Sequence, residues 1–386
     1  MRINRVLTTL FAAASLLLGI TGISTVALAA VGTPAAQAAF PGGNAQIALA
    51  NDRSGVAHIY GVNPDTGATT QLTDSPYPDS MPAWSPDGRH LAFMRTYSDT
   101  QAAIWTVNAD GSDPTQLTTG FNDDGPQWSP DGTKILFQRI FAQTSRDIMV
   151  MNADGNDLTQ ASPSGLNYGP DWAPDSSRLL FTHFEGVITS KCKDSQCPSD
   201  DEIYVVNADG SGSTNVTNSH LSDDTSGRWS PDGAQIAFQS TRSQEYFEIF
   251  TMNADGTDVL QRGGTDKKNI DVNPVWSPDG TALVFMRGNV SSANKYELYT
   301  MNANGSGLKQ LTDNKTYDGM PEWSPDGTKI LFDRYVDSGY QYFTIDADGS
   351  NEKAVTGDGH DLQFGADWQP FVNGEPGAPG APAVPR

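Results

Sequence analysis

Short apolar runs alternate with polar turn sequences along most of the chain. One such run is Lys134–Phe137, and the next, Asp147–Met151, follows after a short polar stretch. Runs of this length, bounded by Gly, Pro, Asn and Asp, are typical of β-strands, whereas helices need longer stretches with a 3.6-residue period. The pattern therefore predicts an all-β chain.

Tryptophan marks a repeat within this pattern. Seven of the eight Trp residues recur at intervals of 44, 44, 57, 47, 47 and 45 residues, and they are Trp84, Trp128, Trp172, Trp229, Trp276, Trp323 and Trp368. Ser-Pro-Asp-Gly follows five of them, Ala173-Pro174-Asp175-Ser176 is a degenerate copy, and Gln369-Pro370 is a truncated one. Pro and Gly at these positions suit a type I turn, so each Trp strand should form a hairpin with the next apolar run.

Two further strands complete each repeat. A third strand ends at Asn-Ala-Asp-Gly or a variant of it, and a fourth carries Leu-Thr or a relative, as at Leu72-Thr73. Four strands in a period of roughly 40–50 residues indicate a β-propeller of four-stranded antiparallel blades.

The ends of the repeat series predict how the propeller closes. Six complete units run from Trp84 to Val355, the chain before them supplies only second to fourth strands, and Trp368 lies in a lone first strand. Joining the partial units gives seven blades, with the last blade shared by the two termini and no open sheet edge. The alternative is six blades with unpaired terminal strands.

The flanks of the propeller, residues 43–370, have other compositions. Arg2 and Arg5, the apolar run Val6–Val31 and Ala36-Gln37-Ala38 give residues 1–38 the layout of a cleaved secretory signal peptide. An uncleaved membrane anchor is the alternative reading. The Pro-, Gly- and Ala-rich segment 371–386 has the composition of a disordered tail. We expect a secreted, extracellular or envelope protein without further membrane insertion.

Charge and motifs exclude several classes of function. The net charge is −22, with 24 Lys and Arg against 46 Asp and Glu, so binding to nucleic acid is disfavoured. The sequence has no G-x-S-x-G, H-E-x-x-H or phosphate-binding loop, and its five His lack metal-ligand spacing. The D-x-[DN]-x-[DN]-G spacing of calcium loops is also absent. We therefore expect no cofactor, no metal and no catalytic residue.

A ring of polar residues stands at the start of each innermost strand, five residues before the Trp. It comprises Asp79, Asp123, Asn167, Asp224, Asp271, Asp318 and Gln363. Sixteen residues after the first six come Arg95, Arg139, His183, Ser240, Arg287 and Arg334, which should face them across the hairpins. Gln363 should face Asn51, and Asp224 lacks a partner unless Arg242 reaches it. The favoured interpretation is a set of structural ion pairs; the alternative is a channel mouth that binds a ligand, a metal ion or a partner tail.

Two cysteines lie in an insertion on the same face as this ring. Cys192 and Cys197 stand in a connection of 22 residues between Phe181 and Ile203, whereas the equivalent connection from Phe93 to Ile104 has 11. In a secreted chain such a pair most simply forms a disulfide. A metal pair would need two further ligands. Loops on a rigid scaffold commonly carry recognition, so this face is the candidate binding surface.

The repeated Trp-Ser-Pro-Asp-Gly, Asn-Ala-Asp-Gly and Leu-Thr motifs resemble the WD-like propeller repeats of the TolB family and, more distantly, the propellers of prolyl oligopeptidases. We expect no counterpart of TolB's N-terminal α/β domain, nor of a serine hydrolase domain. The resemblance implies a secreted or envelope-associated propeller that acts through protein contacts. We expect a monomer that binds a protein or peptide without catalysis. The alternative is an extracellular polysaccharide lyase or glycosidase that uses channel-mouth carboxylates and His183, although Arg partners would deprive it of an obvious acid.

Overall fold

A computed structural model describes residues 44–370 except 53, 143–144, 188–198, 221, 244–245, 264–265, 267, 315, 337–338 and 357–360. The predicted signal peptide, the predicted tail and both cysteines lie outside the described residues. Within the described ranges the only regular secondary structure is β-strand, and no helix capable of crossing a membrane is found there.

The strands form antiparallel groups of four, each beginning with a Trp-containing strand. The first three groups after the N-terminal strands are β4 (Asp79–Trp84), β5 (His90–Ser98), β6 (Gln101–Asn108) and β7 (Thr115–Gln116); β8 (Asn122–Trp128), β9 (Lys134–Ala142), β10 (Ser145–Asn152) and β11 (Thr159–Gln160); and β12 (Asn167–Trp172), β13 (Arg178–Val187), β14 (Ser199–Asn207) and β15 (Thr214–Asn215).

The next three groups are β16 (Asp224–Trp229), β17 (Gln235–Ser240), β18 (Glu248–Asn253) and β19 (Leu260–Gln261); β20 (Asn269–Trp276), β21 (Ala282–Asn289), β22 (Ser292–Asn302) and β23 (Lys309–Gln310); and β24 (Asp318–Trp323), β25 (Lys329–Val336), β26 (Gly339–Asp346) and β27 (Lys353–Ala354).

The remaining group joins the two ends of the described chain. Strands β1 (Asn44–Asn51), β2 (His58–Val62) and β3 (Thr69–Gln71) pair in order, and β28 (Asp361–Pro370) pairs with β1. The register places Trp368 opposite Ile47, as Trp84 lies opposite Leu91 in the following group. The predicted sharing of one sheet by N-terminal and C-terminal strands is therefore present in the structure.

The hydrophobic core lies between neighbouring groups. Strands β4, β8 and β12 are buried on both faces. One cluster packs Leu180 and Ile203 against Trp229 and Phe238, which belong to the next group. Each fully buried side chain of this size contributes roughly 1.5–3 kcal/mol. The repeat Trp can also form a hydrogen bond to the preceding group. The Trp128 indole N–H, for example, donates to the Ala83 carbonyl at 3.1 Å.

The predicted Ser-Pro-Asp-Gly turns form with a repeated bonding pattern. In the first of them the Gly88 N–H donates to the Ser85 carbonyl at 2.8 Å, and the Ser85 hydroxyl donates to Asp87 at 2.6 Å. The His90 N–H then donates to the Ser85 hydroxyl at 2.9 Å. These bonds fix the hairpin register, which in turn decides which polar side chains meet at the other end of the strands.

Every innermost strand contains a β-bulge, three residues before its Trp. The residue at that position has a positive φ in each group, and the set is Met81, Gly125, Gly169, Ser226, Asn273, Met320 and Gly365. Pro follows it in five groups, at Pro82, Pro126, Pro170, Pro274 and Pro321. An innermost strand is a sheet edge, where Pro removes no ladder hydrogen bond and a bulge increases the local twist.

We expect Ser226→Gly to raise the free energy of unfolding by about 0.5–1 kcal/mol, because Ser226 is held at φ 55°, a conformation that costs a non-Gly residue about 1 kcal/mol. Gly125→Ala is the matched opposite change and should lower the free energy of unfolding. Gly125 has φ 59°, and a Cβ there would lie 3.2 Å from the Gln138 Nε2 atom. Urea unfolding measures both variants. A destabilising Ser226→Gly would contradict the inferred strain.

Candidate functional site

Four of the predicted ring positions form buried, two-point ion pairs. Register places each Asp directly opposite its Arg, sixteen residues later. In each pair the Arg Nε donates to one carboxylate oxygen at 2.6–2.7 Å and Nη2 to the other, and the pairs are Asp79–Arg95, Asp123–Arg139, Asp271–Arg287 and Asp318–Arg334. The predicted cross-strand ion pairs are therefore present.

These pairs are shielded from solvent. The four Asp side chains are 0% exposed and their Arg partners 8–12%. Each guanidinium also lies over an aromatic ring; that of Arg95, for example, is 4.4 Å from the centre of the Trp105 ring. A carboxylate with both oxygens bonded to a buried guanidinium has little capacity to ligate a metal ion. The arrangement favours the structural interpretation of the ring.

Asn167 and His183 form the predicted neutral pair. The Asn167 Oδ1 lies 2.7 Å from His183 Nδ1, and Asn167 Nδ2 donates to the Pro163 carbonyl at 2.7 Å. Partial burial lowers the pKa of His183, so the imidazole is neutral at physiological pH. His183 therefore occupies the position that Arg holds in four other groups, but it carries no charge.

Asp224 pairs with Arg242, the one partner that the sequence offered for it. It lies opposite Ser240 as predicted, but Arg242 Nη2 donates to its Oδ2 at 2.6 Å and the Ser219 hydroxyl donates at 2.9 Å. Arg242 lies two residues beyond Ser240, where β17 ends, and its Nε donates to the Ser240 hydroxyl at 3.0 Å. Burial raises the pKa of Asp224 to about 6.

The expectation that Gln363 lies opposite Asn51 was wrong. Asn51 pairs with Asp361, because the register of β1 and β28 shifts between Leu49 and Asn51 by more than the single-residue bulge of the other groups. The closing group therefore departs from the ring pattern. The ring consists of six cross-strand positions with a different arrangement where the termini meet.

Sequence reasoning missed an acidic row beside the ring, on the third strands. Register places Asp147 opposite Arg139 and Glu297 opposite Arg287, with Glu202 opposite His183 and Glu248 opposite Ser240. Glu297 accepts bonds from the Thr312 hydroxyl and the Asn314 N–H at 2.8 and 3.0 Å. The sequence does contain a signal for this row, because in four third strands an Asp or Glu stands directly before the first apolar residue.

Buried carboxyl groups also gather beside the insertion, where β14 begins. Burial raises the pKa of Asp201 to about 7 and that of Asp223 to about 8, and the two groups repel each other. The Ser199 hydroxyl donates to Asp223 at 2.9 Å. Asp200, Glu202 and His220 bring one ligand-type atom each to within 4.8 Å of one another, which is the one such grouping among the described residues.

This grouping is a weak candidate for a metal centre. Glu202 already accepts bonds from the Ser219 N–H at 2.7 Å, the His220 N–H at 2.9 Å and the Thr217 hydroxyl. Glu297 makes the matching bonds two groups further along without any His nearby. Glu202 is therefore explained by its role in holding the following loop.

The face that carries the ring also displays aromatic side chains. We call this the ring face, and the opposite face, which carries the Ser-Pro-Asp-Gly and Asn-Ala-Asp-Gly turns, the turn face. Tyr77 and Tyr97 meet edge to face with ring centres 4.9 Å apart, and Phe121 and Phe141 meet at 5.9 Å in the adjacent group. Both pairs flank an ion pair, two residues before the Asp and two residues after the Arg.

Much of this aromatic surface is exposed. Tyr77, Phe121 and Phe141 are 43%, 43% and 53% exposed, and Tyr335 is 44% exposed. Tyr335 packs edge to face on Tyr340, with ring centres 5.2 Å apart. The other large apolar side chains exposed among the described residues are Leu158, Leu260 and Leu308, which precede or begin outermost strands.

The comparisons with known proteins agree with this architecture. A family model described as the TolB beta propeller domain matches residues 19–192 and 187–372. TolB from Acinetobacter baumannii is 16% identical, with a TM-score of 0.54 over 86% of this chain and 67% of that one. A putative TolB from Agrobacterium tumefaciens is 21% identical, with a TM-score of 0.50 over 74% and 95%.

An enzyme also shares the fold. Oligogalacturonate lyase from Vibrio parahaemolyticus is 16% identical, with a TM-score of 0.62 over 78% of this chain and 86% of that one. No curated protein matches the sequence. Identities at this level establish the fold alone, so none of these proteins transfers its activity. With its family model matched along most of its length, the chain belongs to the TolB β-propeller family.

Proposed function

We propose that the protein is a secreted or envelope-associated β-propeller that binds a protein or peptide partner through its ring face and performs no catalysis. The observation that carries this proposal is the exposed aromatic surface on that face, formed by Tyr77, Phe121, Phe141 and Tyr335. Exposed aromatic residues on a rigid scaffold are typical of protein interfaces, where they form the anchors that contribute most of the affinity.

The ion-pair ring supplies rigidity to this surface. Because Arg139 bonds Asp123 and also lies 4.2 Å from the centre of the Phe121 ring, the exposed Phe is held in place before a partner arrives. A side chain that is already ordered loses less entropy on binding. The ring thus acts on recognition through the aromatic residues that it positions, rather than as the binding group itself.

The geometry of the ring disfavours a glycosidase or lyase that would use the paired ring aspartates or His183. Acid–base catalysis needs a carboxyl group that can hold a proton near neutral pH and reach a substrate. The Asp of each ion pair is enclosed and bonded to a guanidinium, and His183 is bonded to Asn167. We propose no catalytic residue.

The proposal includes a closed ring of seven blades, spanning residues 43–370. Two contacts support it. Ala48 and Ile59 of the group formed by the termini pack with Trp84 on one side, while Ile47 and Leu49 pack with Leu331 on the other. The backbone N–H of Trp84 also donates to Asp367 Oδ2 at 2.5 Å, and this bond joins the last strand to the first complete group.

Secretion and the disulfide remain proposals from the sequence. Residues 1–38 have the layout of a cleaved signal peptide, and export would permit a Cys192–Cys197 disulfide in the insertion that begins near Glu185. The described residues that bracket the insertion, Val187 and Ser199, pair at the end of the β13–β14 hairpin that carries His183. We propose that the insertion contributes to partner binding.

The experiment that tests this function compares two double variants as bait. Phe121→Ser with Phe141→Ser removes aromatic surface from the ring face, and Leu158→Ser with Leu260→Ser removes apolar side chains that are 44% and 48% exposed elsewhere. We expect the first to lose at least about tenfold in affinity for a partner recovered by chemical cross-linking from envelope extract, and the second to lose little.

Controls separate recognition from folding. Both variants should retain the wild-type unfolding midpoint within a few degrees, because exposed side chains contribute little to stability. Equal retention of the partner by both variants would place recognition elsewhere. Release of unsaturated products from oligogalacturonate or another polysaccharide by the wild type would contradict the non-catalytic assignment.

A further inference from the structure

A groove on the turn face lies over the indole of Trp323, between the β20–β23 and β24–β27 groups. Its volume is about 670 Å³, and its walls include Ala282, Met301, Lys309, Asp279 and Asp326. Trp323 is 9% exposed, more than any of the other six repeat Trp residues. This groove is remote from the ring face, so it does not depend on the function proposed above.

One wall of the groove is formed by a repeat position that has a short side chain in this group alone. In six groups the second strand begins at an equivalent residue, opposite the Asn or Asp that ends the third strand. Five of these residues have long side chains and one has a methyl group; in order they are His90, Lys134, Arg178, Gln235, Ala282 and Lys329.

Two of the long side chains at this position contact the Trp of the next group. The guanidinium carbon of Arg178 lies 4.9 Å from the centre of the Trp229 ring, and Trp229 is 2% exposed. The His90 ring lies 6.3 Å from that of Trp128. In these two groups the side chain at this position lies over the Trp of the next group, whereas Lys134 and Lys329 bond Asn152 and Asp346 of their own third strands. Ala282 is too short to do the same for Trp323.

The charge around the groove also suits a cation. Asp279 and Asp326 line it, and hydrogen bonds led by the Ser277 hydroxyl lower the pKa of Asp279, which keeps this carboxylate ionised. The one ammonium in the wall, Lys309 Nζ, is engaged with the Asp348 carbonyl at 2.6 Å. An indole face beside carboxylates is a favourable environment for a guanidinium.

We propose that the groove over Trp323 binds the guanidinium group of an arginine side chain from a partner peptide. The incoming side chain lies over Trp323 in the way that Arg178 lies over Trp229, two groups earlier in the chain. Its planar cation stacks on the indole, and its aliphatic part packs on Met301. The turn face thereby gains a binding site of its own for basic peptides.

The test uses ¹⁹F NMR of protein labelled with 5-fluorotryptophan, with the Trp323 signal assigned from Trp323→Phe. The probes are N-acetyl-arginine amide and N-acetyl-citrulline amide, which have nearly the same shape but differ in charge. We expect the arginine probe to shift the Trp323 signal at millimolar concentration and the citrulline probe to bind about tenfold more weakly, since the cation–π attraction is lost.

Two variants locate the site. Ala282→Arg supplies the missing side chain in cis and should reduce binding of the arginine probe at least tenfold. Arg178→Ala opens the equivalent space over Trp229 and should make the Trp229 signal respond to the same probe. The proposal fails if Trp323 does not respond, if citrulline binds equally, if Ala282→Arg binds as wild type does, or if Arg178→Ala creates no response at Trp229.

Discussion

Raising the pH from about 4.5 to 8.5 is expected to lower the free energy of unfolding by at least about 3 kcal/mol and the melting temperature by about 5 °C. Burial raises the pKa of Asp201, Asp171 and Asp367 to about 7 and that of Asp223 to about 8. All four values lie above the ordinary aspartate value, so the folded state holds protons that the unfolded chain has released.

The sign of the effect follows from this difference in proton binding. Stability from these groups is fully present below the unfolded pKa near 4 and is lost as the pH rises through the folded values, at up to about 1.4 kcal/mol per pKa unit and group. Turn aspartates act oppositely: hydrogen bonding by Ser230 lowers the pKa of Asp232, which costs stability only in stronger acid. We therefore expect maximum stability on the acid side of neutrality.

Asp223→Asn tests the largest of these shifts. The amide keeps the shape of the carboxyl group and stays neutral, so the variant should be more stable than wild type at pH 8.5 and nearly equal to it at pH 4.5. Asp232→Asn on the turn face is the control and should keep the wild-type slope. Urea titrations across this range measure both, and an Asp223→Asn variant weaker than wild type at pH 8.5 would refute the explanation.

Asp123→Ala is expected to reduce the free energy of unfolding by about 3–5 kcal/mol, because it leaves the buried Arg139 guanidinium without its carboxylate. Arg139→Met should cost a similar amount by leaving an unpaired carboxylate that is 0% exposed. Replacing both residues, as Asp123→Leu with Arg139→Met, should recover most of the loss, since the buried charges disappear together.

A surface pair provides the comparison. Lys329 Nζ lies 2.6 Å from Asp346 Oδ1, and the two side chains are 30% and 26% exposed. Lys329→Met should therefore cost less than about 1 kcal/mol. Equal losses from Arg139→Met and Lys329→Met would show that the ring pairs contribute no more than surface pairs, and would remove the argument that they rigidify the ring face.

The ion pairs were predictable because the spacing of the repeat already contained the bulge. Trp84 pairs with Leu91, so an unbroken ladder would place Asp79 opposite Thr96; the one-residue shift between Ser80 and Ala83 moves it to Arg95. Repetition of the sixteen-residue interval revealed this register without revealing its cause. The bulge itself was obscured, because its residues differ in type and only three are Gly.

Other features depended on contacts that no single repeat shows. The pairing of Asn51 with Asp361 arises where two chain ends meet, so no copy of the motif predicts its register. Asp201 and Asp223 stand in sequences rich in acid that would ordinarily face solvent, and only tertiary packing buries them. The groove over Trp323 was visible in principle, as a single Ala in a column of long side chains.

The pairing of β1 with β28 sets the order in which the chain can complete its fold. Strands β1–β3 leave the ribosome first, but the strand that carries Trp368 is among the last to appear. The earliest segment must therefore wait, unpaired on one edge, until almost the whole protein has been made. Such a long-range contact favours slow folding that ends in a single late step, so a chain shortened before Trp368 is left with an open sheet edge.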